Sequence, residues 1–392
     1  MEEETKALPE DGVDGTLIGR AWVPSAGGRP AGPSPVAVRA DGVYDLSAIV
    51  ATGAELVGSD DAVALARNGG AVRLGDTAAL VANSIHDACD PARPFLLSPV
   101  DLQCVKAAGV TFAKSVVERV IEERARGDAA TAEEIRGELS ARIGADLSAI
   151  VPGSEGAARL KAALINDGLW SQYLEVGIGP DAEVFTKAQP LSSVGFGAEV
   201  GVHPASGWNN PEPEMVLVVD AGGQIVGATL GNDVNLRDVE GRSALLLGKA
   251  KDNNASCALG PFIRLFDDSF GLDDVRAAEV ALTVEGADGF ALNEVSSMRE
   301  ISRDPSDLAA QTIGANHQYP DGFVLFTGTM FAPTKDRDAP SMGFTHHLGD
   351  TVQISTPKLG TLWNRVGRCD RVPPWTFGIG ALMRNLAARG LI

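Results

Sequence analysis

Aromatic residues make up only 5% of the 392-residue chain, and positive charge is scarce: 33 Lys and Arg stand against 52 Asp and Glu, a formal net charge of −19. So acidic a surface argues against nucleic acid and anionic membranes as partners. An anionic substrate must then meet a local positive centre, either a bound metal ion or a buried Lys. Cysteine is rare too. Cys89, Cys104, Cys257 and Cys369 show no CxxC or other metal-like spacing, so free thiols in a reducing cytoplasm are expected. No apolar run approaches the ~20 residues of a membrane helix. The acidic start Met1-Glu2-Glu3-Glu4 is unlike a secretory signal. A cytoplasmic protein without nucleic-acid or membrane partners is the expectation.

What is present is ordinary globular composition, 44% hydrophobic and 22% charged, with 45 glycines. The length exceeds one ordinary core and predicts two domains. Residues 1–100 read as a small β-rich N-terminal domain of short strands, with a hairpin at Asp41-Gly42. Residues 101–392 form the second, catalytic domain, with a helical block at about 109–170. There Ser115 and Glu118 have capping-box spacing, Thr131 and Glu134 repeat it, and a third helix is expected near Gly156–Asp167. From Glu183 onward apolar runs at 215–219, 224–230, 279–284, 323–326 and 351–354 alternate with glycines. The predicted class is mostly β with helices, α+β.

Chemistry is concentrated in "Asn209-Asn-Pro-Glu212-Pro-Glu214-Met-Val-Leu-Val-Val-Asp220". Side chains at i and i+2 of a strand share a face, so Glu212 and Glu214 project together. Asp220-Ala-Gly-Gly223 reads as a tight turn returning residues 224–230 antiparallel. If 220 pairs with 223, Glu214 faces Thr229, Glu212 faces Gly231, and Asp233 lies just beyond. Three clustered carboxylates repel one another, and burying them unpaired is costly. Either they form a solvated strand start or they hold a divalent cation, for which all-oxygen ligation favours Mg²⁺, Mn²⁺ or Ca²⁺.

Further motifs carry a family resemblance that bears on this choice. "Gly231-Asn-Asp233-Val-Asn-Leu-Arg237-Asp238", "Gly248-Lys249-Ala-Lys-Asp252" followed by "Leu259-Gly260-Pro261", "Phe185-Thr-Lys187", "Ser192-Ser193-Val194-Gly195", "Thr327-Gly328-Thr329" and "Gly349-Asp350" resemble, in order, segments of the fumarylacetoacetate hydrolase family. The likeness spans about residues 101–392. It implies a mixed β-roll catalytic domain, a mobile lid, and a divalent metal, Mg²⁺ with Mn²⁺ as substitute, chelated by a 2-oxo acid. Carried over by position, Glu212, Glu214 and Asp233 are metal ligands. Lys249 is the catalytic lysine, and Arg237, Thr329, Lys187 and Thr111 hold substrate or site. The family likeness also implies a homodimer or homotetramer.

One departure is informative. Family hydrolases carry a lid His and Glu that activate water; here the His position is Ser115, while Glu118 keeps the Glu. A Gln common after the Arg is Glu240. These features resemble the family's 2-keto-3-deoxy-pentonate dehydratase branch, which implies dehydration of 2-keto-3-deoxy-D-xylonate (D-arabinonate) to 2,5-dioxopentanoate in non-phosphorylative pentose catabolism. Glu118, Lys249, Glu240 and Ser115 are the expected catalytic set, with Lys249 and Glu118 as rival C3 bases. An acylpyruvate-type hydrolase, an oxaloacetate-type decarboxylase and a non-catalytic sugar-acid binder are the alternatives. Asp238 is expected to pair with Arg237, Cys257 to be core, and His203, His317, His346 and His347 to be structural or surface residues.

Overall fold

The computed structural model describes residues 7–133, 135, 150–330, 333–339 and 343–392. The body of the helix expected from Thr131 onward lies outside the described residues. The strand Pro213–Val219 is buried along its whole length, as a continuous aliphatic run requires when both faces of a sheet are covered. Met215, Leu217 and Val219 pack with Val280, Leu282, Val352 and Ile354. Val216 and Val218, on the other face, pack with Leu46, Leu56, Leu259 and Phe326.

That strand sits within an eleven-stranded sheet. The order runs Val72–Gly75, Gly42–Asp45, Gly32–Arg39, Leu17–Val23, Cys257–Leu265, Ile225–Asp233, Pro213–Val219, Phe323–Phe326, Cys104–Gly109 and Glu183–Ala188, with Phe95–Leu96 beside Leu17–Val23. Only the Phe323–Phe326 and Cys104–Gly109 pair is parallel. A five-stranded sheet, Ala291–Ser297, Glu279–Glu285, Thr351–Thr356, Gly360–Arg368 and Glu199–Val202, stacks on it across the larger core. The architecture is mostly β with several helices, as the sequence predicts.

The segment before residue 100 is not set apart from the rest by a break in the sheet. Leu17 and Ile18 pair with Arg264 and Ile263, so the N-terminal strands extend the sheet that carries the carboxylates. The helical block forms a separate cover. Helix Ala113–Arg124 packs Val116, Val120 and Ile121 against Leu164, Leu174, Ile178 and Trp208. The helix expected near Gly156–Asp167 is present as Glu155–Asn166. Among the described residues no helix is long and apolar enough to cross a membrane, and all four cysteines are free.

Candidate active site

The hairpin that carries the carboxylates is wound two residues further than the tight-turn reading. Asp220 N–H bonds Gln224 O, and a bulge follows at Val218/Val219. Glu214 therefore pairs with Gly231, not Thr229. Asp233 N–H donates to Glu212 O at 3.0 Å, so Glu212 and Asp233 are cross-strand neighbours. A shift of two keeps each side chain on its face, whereas a shift of one would have reversed it. Glycine at 231 is forced by space: a Cβ there would meet the Phe326 ring at 2.2 Å.

Glu212, Glu214 and Asp233 are buried, at 2%, 1% and 1% exposure. They offer oxygens all within 4.8 Å of one another, the one group of metal-capable side chains among the described residues. Asp233 is flanked by Lys187 Nζ at 2.8 Å and Lys251 Nζ at 3.1 Å. Lys251 also bonds Glu212 Oε2, and Arg119 bonds Glu212 Oε1. Glu214 accepts the Gly328 N–H at 2.7 Å and pairs with no Lys or Arg among the described residues. Burial, then the charges of Asp233 and Glu212, push its carboxyl well above the usual range.

Burial also acts on the others, but their partners decide the outcome. It raises the carboxyl of Asp233, yet Lys187 and Lys251 outweigh it and hold Asp233 low. It lowers Lys251, yet Asp233, Glu212 and Glu240 reverse that, so this lysine stays an ammonium. Glu240 is pushed up to about 7, chiefly by burial, with Arg119 opposing. Burial raises Glu183 as well.

Glu118, Glu122, Glu183, Glu212, Glu214, Asp233 and Glu240 outnumber Arg119, Lys187, Arg237 and Lys251, an excess of acid that adds to burial in pushing Glu214 and Glu240 towards the neutral form. A divalent cation on three hard oxygen donors removes that excess. The residues present therefore fit the metal that the family likeness implies.

The expected catalytic set is only partly brought together. Ser115 and Glu240 line the cavity beside the triad, with Thr329, Arg119, Glu183, Phe185 and Lys251. Lys249 does not: it is exposed, and Lys251, two residues on, points inward from helix Leu247–Lys251. Glu118 turns to Arg237 Nη2 at 3.0 Å and is not part of the cavity lining.

Nor is Ser115 the helix cap. The helix starts at Ala113, which puts Ser115 in the first turn, where its Oγ accepts Phe112 N–H and donates to Phe112 O. Among the expected substrate-binding residues, only Thr329 reaches the cavity. Lys187 braces Asp233, and Thr111 donates to Thr327 O at 2.6 Å. Arg237 bonds Glu122 at 2.6 Å and Pro333 O at 3.1 Å, with its guanidinium 4.4 Å from the Trp208 ring. Asp238 pairs with Ser206 Oγ and Gly207 N rather than Arg237.

Arg119, Glu122, Glu183 and Lys251 were missed by sequence reasoning. For the first two a signal existed: Ser115, Arg119 and Glu122 fall at i, i+4 and i+7, one face of a helix.

Known proteins resemble this chain in sequence and fold. Residues 171–367 match the family described as fumarylacetoacetate (FAA) hydrolase C-terminal. A probable 2-keto-3-deoxyxylonate dehydratase of Haloferax volcanii is 32% identical over 50% of this chain and 63% of its own. A 2-dehydro-3-deoxy-D-arabinonate dehydratase of Saccharolobus solfataricus is 31% identical over 46% and 57%. The matched region thus spans about three fifths of each curated relative. A 2-keto-3-deoxy-D-arabinonate dehydratase solved with magnesium and 2,5-dioxopentanoate superposes with a TM-score of 0.59 at 19% identity, over 90% of this chain and 99% of that one. A fumarylacetoacetate hydrolase from Exiguobacterium antarcticum gives 0.55 at 17%, with the same coverage. The chain belongs to the fumarylacetoacetate hydrolase family.

Proposed function

We propose that this chain is a Mg²⁺-dependent hydro-lyase that dehydrates 2-keto-3-deoxy-D-xylonate, which is also 2-keto-3-deoxy-D-arabinonate, to 2,5-dioxopentanoate. The observation that carries the reading is the buried triad Glu212, Glu214 and Asp233 sharing a cavity with Glu240, a carboxyl poised near neutrality, and with no His among the described lining residues. The names of the two curated relatives and the 2,5-dioxopentanoate in the solved dehydratase structure support the same substrate class.

Bound to the triad, the cation would supply a Lewis acid for the carboxylate and 2-oxo group of the substrate, acidifying the C3 protons. The chain's own groups supply the rest. Lys251 and Arg119 keep fixed positive charge beside the oxygen where negative charge develops. A general base works best with a pKa near the working pH, so ionised Glu240 takes the C3 proton. Glu183, on the same cavity wall, is assigned to deliver a proton to the departing C4 hydroxyl. The unsaturated 5-hydroxy acid then tautomerises to the aldehyde. Water is released and none is consumed, which suits a lid with Ser115 where hydrolases of the family carry His.

The test is incubation with 2-keto-3-deoxypentonate and Mg²⁺, with mass detection of the loss of one water. EDTA, or Glu212→Ala, Glu214→Ala and Asp233→Ala, should abolish turnover. Each substitution should also abolish Mg²⁺-dependent thermal stabilisation, worth about 2.7 kcal/mol at 100 times Kd. Faster cleavage of acylpyruvates, or decarboxylation of oxaloacetate, would replace the dehydratase reading. Mn²⁺ is expected to substitute. The assembly expected is a homodimer or homotetramer, and a monomer in light scattering at micromolar concentration would contradict it.

A further inference from the structure

We infer that Arg119 is a latch that ties the lid helix to the metal-ligand carboxylate Glu212, so that binding of a divalent cation favours release of the lid. The inference rests on the metal reading above and adds a coupling between the cation and access to the site.

Three observations carry it. First, both oxygens of Glu212 are engaged: Oε1 by Arg119 from the lid helix, and Oε2 by Lys251 from beneath. Arg119 is 8% exposed. It is held in place by Glu122 on its own helix and by Glu240 at 3.2 Å.

Second, the cavity that Arg119 helps to line measures about 20 Å³, room for about one water and far too little for a five-carbon acid. Arg119 sits on helix Ala113–Arg124 and Glu212 on the sheet side, so admitting a substrate by moving the helix parts this ion pair.

Third, the helix is bounded by backbone suited to a hinge. Val110, a β-branched residue, has φ +52° before it, and Arg126 and Gly127 have φ +53° and +76° after it. A β-branched residue in the left-handed region is strained.

The energetics follow from the charges. Parting Arg119 from Glu212 leaves a buried carboxylate short of one cation, and losing one partner of a buried pair is strongly unfavourable. A divalent ion on Glu212, Glu214 and Asp233 supplies that charge. Conversely, Arg119 beside Glu212 repels an incoming cation. The cation therefore binds the lid-released form more tightly and, by reciprocity, shifts the lid towards release. An anionic substrate then offers Arg119 a new negative partner, and the lid closes over it.

Hydrogen exchange of segment 113–124 reads this directly in the wild-type protein. Mg²⁺ alone should raise exchange there about tenfold, the opposite of the tightening that a ligand usually brings. Adding a non-reacting chelating anion, the dicarboxylate oxalate or the 2-oxo acid pyruvate, to the Mg²⁺ form should restore protection. Arg119→Gln should show high exchange without metal and no further rise with it. If Mg²⁺ binds, by calorimetry, yet leaves the segment unchanged or more protected, the latch is refuted while the metal site stands. If Mg²⁺ does not bind at all, the metal reading itself fails. The wild-type experiment decides the matter even should Arg119→Gln fold poorly.

Discussion

Glu240 shows how a single environment sets a single role. Its carboxyl is pushed up to about 7, first by burial, while Arg119 pulls the other way. In the unfolded chain a Glu titrates near 4.3. The folded state therefore holds more protons than the unfolded state between about 4.3 and 7. This group contributes stability that is fully present below the lower value and is lost as pH rises through the upper one. Glu240→Gln removes that dependence. In EDTA, the wild type should lose more thermal stability than the variant between pH 5 and 8, both limits chosen about those two values. The same variant should lose turnover by about 10²–10⁴-fold while still binding Mg²⁺, because the triad lies on other elements. Equal slopes of Tm against pH in the two proteins would show that Glu240 is not held in its neutral form.

At the level of elements, what could be read from sequence depended on whether a period fixes the answer. Glu212 and Glu214 on one face required only the two-residue period of a strand, and the bulged turn left that face unchanged because it moved the register by two. The lysine that faces the carboxylates required knowing which way a short helix faces. Lys249 and Lys251 are two apart in Leu247–Lys251, about 200° around a helix, so only one can point inward. Motif spacing selected Lys249; packing selected Lys251, at 2% exposure.

The lid shows the same limit. Capping-box spacing placed the helix start at Ser115, but Phe112 caps it; on the finished helix Glu118 and Glu122 both reach Arg237, while Arg119 reaches Glu212. Tertiary charge pairing is not visible in local spacing, and that is why Arg119 and Glu122 were missed. Lys249→Met should then change stability by no more than about 0.5 kcal/mol and leave turnover near wild type. Lys251→Met strips a cation from Glu212 and Asp233, should cost about 3–5 kcal/mol without metal, and should abolish turnover. The assignment is reversed if the Lys249 variant is the inactive one.

For the whole molecule, the main question is whether the N-terminal hundred residues are a partner domain or part of the sheet that carries the site. The strand Leu17–Val23 covers the open side of Cys257–Leu265, which in turn pairs with the Asp233 strand. Val36 and Val43 enter the larger core, and Leu46, Val50 and Leu56 fill the cluster behind Val216 and Val218. The fully buried Arg264 meets Asp11 through two bonds, 2.8 and 2.9 Å. From the other end of the chain, Asn385 donates to Ala31 O at 2.7 Å and Arg389 to Ser34 Oγ at 2.6 Å.

Removing residues 1–100 would leave Arg264 buried or half-buried without its carboxylate. It would also expose a long apolar edge strand, which invites aggregation, directly beside the strand that carries Asp233. A fragment of residues 101–392 should therefore aggregate, show no cooperative thermal transition and gain no stability from Mg²⁺. A fragment that melts cooperatively, with a Tm that Mg²⁺ raises, would show instead that the carboxylate hairpin is held by the second sheet and the lid alone, and that the N-terminal strands are an addition to a self-sufficient catalytic unit.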